Sequence, residues 1–132
     1  MKIRISKKLI KKNKNVVIKS EKHKIDDWNL IIEQVQVSDT KDLRNVVDNH
    51  KNTNDRLCVV VFSVDDDRVA IVSGVTKNLS ETISAKDVVN IVAGNIGGKG
   101  GGRSEFAQGA GETKNIDEFV TSILNSVQSL AT

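Results

Sequence analysis

The chain has 132 residues and a mass of 14.4 kDa, which is the size of one domain. Apolar residues make up 38% and charged residues 28% of the chain, as in ordinary globular proteins. No apolar run approaches the roughly 20 residues that cross a membrane. The single cysteine, Cys58, excludes a disulfide scaffold, and the basic amino terminus lacks the apolar core of a secretory signal. We therefore expect a cytoplasmic protein without a membrane partner.

The net charge of +3 is divided unequally along the chain. Residues 1–24 contain ten Lys or Arg and one acid, whereas residues 25–132 contain ten Lys or Arg and sixteen acids. We interpret residues 1–24 as a basic arm or the remnant of a preceding helical segment, and residues 25–132 as one domain. A basic arm binds polyanions by releasing their counterions. A solvated lysine-rich linker explains the same pattern, so both interpretations stay open.

Strands and helices alternate in the part of the chain that follows the arm. Alternation of apolar and polar residues predicts a strand over 30–37. Asp39 and Asp42 predict the capped start of a helix over 40–51. Residues 57–64 are apolar on both faces, as expected of a central strand that is covered on each side.

The second half of the domain continues this alternation. Residues 68–75 predict a further strand, and the aspartates at 65–67 predict the turn of an antiparallel hairpin. The capping box from Ser84 to Asp87 predicts the start of a second helix, and Asn115 that of a third. These elements predict an α+β fold, a compact two-layer sandwich of a mixed sheet with an antiparallel hairpin and about three helices.

Eight of the nine glycines lie between Gly94 and Gly111. This density costs conformational entropy on folding and is tolerated where the backbone approaches a ligand closely or adopts a positive φ. The glycine-rich stretch would expose a run of backbone amides, flanked by Lys99 and Arg103. This combination indicates a loop that binds phosphate. A flexible loop that carries two cations is the alternative. The spacing is not that of a Walker loop, and the segment follows a helix rather than a strand, which argues against a dinucleotide-binding fingerprint.

The segment Gly97–Arg103, together with Ala107–Gly111, resembles the signature of the carboxy-terminal, DHH-associated domain of bacterial-type alanyl-tRNA synthetases. The resemblance continues through Asp39–Arg44 and Val69–Val75 and covers about residues 25–132.

Two positions refine this resemblance. The related domain of DHH-type phosphodiesterases has a histidine where this chain has Arg103, so the synthetase branch fits better. Ser104 stands where the family has proline, a departure that affects the rigidity of the segment after the glycines.

The resemblance implies a tRNA-binding module without a catalytic site, belonging to an enzyme that attaches alanine to its tRNA and edits mischarged tRNA. Its implied partners are tRNA, in particular alanine tRNA, the remainder of the synthetase, and a second copy in a homo-oligomer. No cofactor is expected in this chain, whereas the parent enzyme would use ATP, magnesium and zinc. The residues implied in nucleic-acid binding are the glycines, cations and glutamine of the motif: Gly97, Gly98, Lys99, Gly100, Gly101, Gly102, Arg103 and Gln108.

Other chemistry-bearing residues give weaker signals. His23, His50 and Cys58 are too dispersed for a zinc site. Asp48 precedes His50 by two residues, a near miss for a phosphodiesterase motif that lacks the other metal carboxylates. Trp28 is expected to cover the apolar face of the first strand rather than to stack on a base. We therefore expect the isolated chain to be non-catalytic. The alternatives are a substrate-binding domain of a DHH-type phosphodiesterase acting on short oligonucleotides, and a structural or oligomerisation domain.

Overall fold

The computed structural model describes residues 16–37, 39 and 41–131. This part of the chain forms six strands and three helices, which confirms the predicted α+β class. Lys7–Lys12 of the predicted basic arm lie outside the described residues. In chain order the elements are β1 (Val16–Ile25), β2 (Trp28–Gln36), α1 (Lys41–Asn52), β3 (Leu57–Asp65), β4 (Arg68–Val75), α2 (Ala85–Gly94), β5 (Lys99–Gly102), β6 (Phe106–Glu112) and α3 (Ile116–Ala131).

The strands form one mixed sheet in the order β1-β2-β3-β4-β6-β5. β2 and β3 are parallel, because α1 carries the chain back along the sheet between them, and the other neighbouring pairs are antiparallel. Asp26 and Asp66 lie in the β1–β2 and β3–β4 turns with φ of 54° and 58°, a conformation that aspartate tolerates better than most residues. The hairpin predicted at residues 65–67 is confirmed.

Helices cover both faces of the sheet. α1 packs on one face through Leu43 and Val47, while α2 and α3 pack on the other. Phe119 of α3 meets Phe62 of β3 edge-on, with ring centroids 4.9 Å apart. The arrangement therefore has three layers rather than the predicted two, because β3 requires an apolar cover on each side. Alternate residues of β3 enter the two cores, Leu57, Val59 and Val61 on the α1 side and Cys58, Val60 and Phe62 on the opposite side.

The three predicted helix starts are confirmed by their caps. The side chain of Asp39 accepts the backbone N–H of Lys41 at 3.0 Å. Ser84 Oγ accepts the N–H of Lys86 at 3.2 Å, and Asn115 Oδ1 accepts the N–H of Glu118 at 3.0 Å. Each cap satisfies an amide that has no partner within its own helix.

Loss of the α2 cap is expected to destabilise the fold modestly. In Ser84→Ala the amide of Lys86 loses its side-chain acceptor and keeps only the carbonyl oxygen of Arg103, 3.1 Å away, so the free energy of unfolding should fall by about 0.5 kcal/mol. Urea denaturation measures this change. Ser84→Asp keeps an acceptor oxygen and should unfold like the wild type, and an equal loss in both variants would contradict the capping role.

Strand β1 extends the sheet into the segment that was predicted as an arm. Residues 16–24 pair with β2, so the boundary predicted between residues 24 and 25 falls inside a hairpin. Val17 and Ile18 at the start of β1 are 57% and 53% exposed. Among the helices of the described ranges, none is long and apolar enough to cross a membrane.

Candidate nucleic-acid interface

The glycine-rich segment forms a β-hairpin at one edge of the sheet. Lys99 lies opposite Ala110, and Gly101 lies opposite Gln108, with residues 103–105 as the connection. The segment was predicted as a loop, and this interpretation is wrong, because β6 continues the ladder of β4 and β5 continues that of β6. The backbone amides of β5 are therefore held in a strand rather than gathered in a loop.

Close packing explains why glycine occupies alternate positions of the hairpin. A Cβ on Gly98 would overlap the carbonyl oxygen of Ala110, and one on Gly100 would overlap Val89 of α2. Gly97 precedes the strand with φ of 71°, which favours glycine at the turn. A Cβ on Gly101, by contrast, would meet nothing within 4 Å. Most of the predicted cradle glycines thus serve the fold, and Gly101 faces open space.

The opposite face of the hairpin carries two of the predicted contact residues. Lys99 and Gln108 are exposed and line a shallow recess of about 350 Å³ beside Leu43 of α1. Ala70 and Ala110 provide its floor, so the backbone is not screened by long side chains. The structure therefore brings Lys99 and Gln108 together on the α1 side of the sheet.

The third predicted polar residue, Arg103, lies at the other end of β5, against the carboxy-terminal half of α1. It lines a recess of about 300 Å³ together with Arg44 and Lys51 of α1. Lys51 Nζ donates to the carbonyl oxygen of Glu105 at 3.2 Å, which joins α1 to the hairpin connection. The guanidinium carbon of Arg44 lies 4.3 Å from the centre of the Phe106 ring.

We call the surface that joins the two recesses the α1–hairpin groove. Arg44 and Lys51 were not predicted as site residues. Their spacing of seven residues places them on one face of a helix, a signal that the sequence did contain. The groove is defined by Arg44, Lys51, Lys99, Arg103 and Gln108.

Charge is distributed unequally between the two sides of the sheet. The α1–hairpin groove gathers four cations against two acidic residues, Asp48 and Glu105, on one side. On the opposite side, the charged residues of α3 are Asp117 and Glu118, and the helix contains no Lys or Arg. A further recess, of about 840 Å³, lies at the other end of the hairpin. Arg68 lies there between Asp65 and Glu112, so these three residues give the recess no net positive charge to attract an anion. The groove is the surface best suited to a polyanion.

The remaining titratable candidates serve the interior of the protein. His50 Nε2 donates to Glu33 Oε1 at 3.1 Å, and this hydrogen bond holds the pKa of the Glu33 carboxyl below its usual 4.5, against the opposing effect of burial. Burial raises the pKa of the Cys58 thiol to about 12, so this thiol is not a metal ligand or nucleophile at neutral pH. Trp28 is buried in the core, as expected. The described ranges contain no group of three or more His, Cys, Asp or Glu side chains that could hold a metal ion.

Comparison with known families agrees with the resemblance noted in the sequence. The model of the DHHA1 domain matches residues 27–129. The alanine–tRNA ligase of Francisella philomiragia is 38% identical over 104 residues, covering 78% of this chain and 12% of that protein. The alanine–tRNA ligase of Ruthia magnifica is 36% identical over 128 residues, covering 97% of this chain and 14% of that protein. The chain therefore spans about an eighth of the length of these relatives.

Solved structures give the same picture. The C-Ala domain of Aquifex aeolicus alanyl-tRNA synthetase superposes with a TM-score of 0.74 at 27% identity, covering 82% of this chain and 98% of that chain. A DHH domain from a member of the s1p family of ribosomal proteins superposes with a TM-score of 0.57 at 12% identity, covering 97% of this chain and 31% of that chain. The second likeness concerns the fold alone. The resemblance to the carboxy-terminal domain of alanyl-tRNA synthetase is confirmed.

Proposed function

The chain belongs to the DHHA1 domain family, and we propose that within this family it is a tRNA-binding module of the alanine–tRNA ligase type. The observation that carries the proposal is the α1–hairpin groove, where Arg103 of the motif shares one recess with the cations of α1, and Lys99 and Gln108 line the other recess. A groove of this charge suits a ribose–phosphate backbone.

The proposed binding mode is contact with phosphate and ribose. Lys99 and Arg103 would bind phosphate oxygens, and Gln108 would donate to or accept from a ribose hydroxyl. The small residues between them, Gly101 and Ala110, would let the RNA backbone approach the sheet. Contacts of this kind position an RNA without reading its sequence, so the module alone should discriminate poorly between tRNAs.

The proposal also concerns a complete alanine–tRNA ligase, because this chain is similar to one part of such an enzyme. Alanine tRNA and the remainder of a synthetase are the proposed partners, with the cytoplasm as the compartment and a homo-oligomer as a further possibility. The chain itself is proposed to be non-catalytic and without a cofactor. The ATP, magnesium and zinc of a ligase are proposed to bind to other parts of such an enzyme.

Binding of labelled alanine tRNA across a salt series tests the proposal. For Lys99→Ala/Arg103→Ala we expect about a tenfold loss of affinity at 0.1 M salt and a salt slope flatter by about two units, one per lost phosphate contact. Lys24→Ala/Lys114→Ala is the matched control, because it removes the same charge from exposed positions outside the groove and should cost much less affinity. Equal losses in the two double variants would refute the groove as the binding site.

The same assay separates the alternative functions. A phosphodiesterase-type substrate domain predicts that short oligonucleotides compete with tRNA at similar concentrations. A structural domain predicts dimers that depend on protein concentration but not on salt, and no specific loss in Lys99→Ala/Arg103→Ala.

A further inference from the structure

The recess at the Arg103 end of the groove differs chemically from the recess at the Lys99 end. It has a volume of about 300 Å³, at the lower limit of pockets that hold small ligands. An aromatic ring, three cations and two acidic residues, Asp48 and Glu105, line it, whereas small and apolar residues dominate the other recess. We call it the tip recess and define it by Arg44, Asp48, Lys51, Arg103 and Phe106.

Arg44 presents a flat surface to the tip recess. Its guanidinium carbon lies over the ring of Phe106, at 4.3 Å from the centroid, which restrains the position of the group. Arg44 is nevertheless exposed to solvent, so the guanidinium remains accessible to a ligand. A guanidinium that is restrained in this way is a platform on which a nucleobase can stack, as arginines do in the recognition of single-stranded RNA.

Asp48 argues against a site for phosphate alone. It lies one helical turn after Arg44 on α1, is exposed, and forms no ion pair with the neighbouring cations in the part of the chain that the structure describes. A carboxylate repels a bare phosphate but accepts the amino group of a base such as cytosine. Lys51 and Arg103 lie in the same recess and supply the positive charge that a phosphate needs.

We propose that the tip recess binds one unpaired RNA nucleotide, with its base stacked on Arg44 and its amino group donating to Asp48. Lys51 and Arg103 bind the phosphate of this nucleotide. The inference rests on the proposed function and specifies it, because it assigns to one end of the groove a preference for a loop or an open strand over a duplex.

The test compares two RNAs of equal stem length, a hairpin with an unpaired cytidine loop and a blunt duplex. Arg44→Lys keeps the charge but removes the planar group, so it should bind the hairpin about tenfold more weakly and the duplex unchanged. Lys99→Ala, at the other end of the groove, should weaken both RNAs alike. An equal effect of Arg44→Lys on the two RNAs, or no effect on either, would overturn the proposal.

A second variant tests the role of Asp48 separately. The wild type should bind a cytidine loop more tightly than a uridine loop. Uracil has a carbonyl oxygen where cytosine has its amino group, and this oxygen cannot donate a hydrogen bond to Asp48. Asp48→Ala should remove this difference, and a wild type that does not distinguish the loops would overturn the base contact. Tight tRNA binding with failure of these tests would leave the proposed function standing, whereas a wild type that binds no RNA would refute both.

Discussion

Gly98→Ala is expected to lower the free energy of unfolding by about 3 kcal/mol, the upper end of the usual cost of overpacking. The added methyl group would overlap the carbonyl oxygen of Ala110, which belongs to the backbone of β6 and cannot rotate away. The hairpin would have to separate at this point or shift away from α2. Urea denaturation followed by far-UV circular dichroism measures the loss.

Gly101→Ala is the matched control for this experiment. It makes the same chemical change three residues later, where a Cβ meets nothing within 4 Å. Its stability should stay within about 0.5 kcal/mol of the wild type, as for most surface substitutions. If Gly101→Ala were as unstable as Gly98→Ala, the overlap with the carbonyl oxygen of Ala110 would not be the cause of the loss at Gly98.

His50→Ala is expected to destabilise the protein by about 2 kcal/mol at pH 7, because it removes a hydrogen bond from a buried carboxylate. Glu33 lies on the α1 face of β2 with a side chain only 7% exposed, and His50 Nε2 donates to its carboxylate at 3.1 Å. Denaturation at a series of pH values between 3 and 7 measures the effect.

The direction of the pH dependence follows from the pKa of Glu33. This pKa is lowered in the folded protein, chiefly by the hydrogen bond from His50, so Glu33 stabilises the fold above its unfolded pKa of about 4.5. The stabilisation is lost as the pH falls through the lower, folded value. In His50→Ala the pKa of Glu33 should rise, and acid unfolding should begin at a higher pH than in the wild type.

Glu33→Gln provides the control for this effect. It retains a side chain of similar shape but cannot titrate, so its stability should vary less between pH 3 and 5 than that of the wild type. If the acid unfolding of Glu33→Gln and the wild type were identical, the dependence would have to be assigned to other carboxylates.

Sequence reasoning located the helices because their signals are local. The caps at Asp39, Ser84 and Asn115 each act within three residues of the helix start, and the structure places them as expected. The number of layers is not a local property. Residues 57–64 indicated that both faces of the central strand are covered, but periodicity alone does not say on which face each helix packs.

The glycine hairpin shows why part of the site could not be predicted. Glycine has a low intrinsic preference for strands, so residues 97–102 were interpreted as a loop. Their strand conformation depends on contacts with β6 and α2 that are made only in the folded chain. The motif singled out Lys99 and Arg103, which line the two recesses of the groove. Arg44 and Lys51 come from a helix about fifty residues earlier, and only the packing of α1 on the groove side of the sheet brings them together.

The position of β1 places the point where residues 1–15 join the domain at the opposite edge of the sheet from the glycine hairpin. β1 and β5 are the two edges of the sheet, separated by five gaps of about 4.8 Å, or roughly 24 Å in all. The lysine-rich residues 1–15 join the domain at β1, while the groove lies beside β5. Stacked nucleotides advance about 3.4 Å each, so a stacked strand of roughly seven spans this width. A folded RNA held in the groove is therefore large enough to extend to β1, whereas a stacked dinucleotide is not.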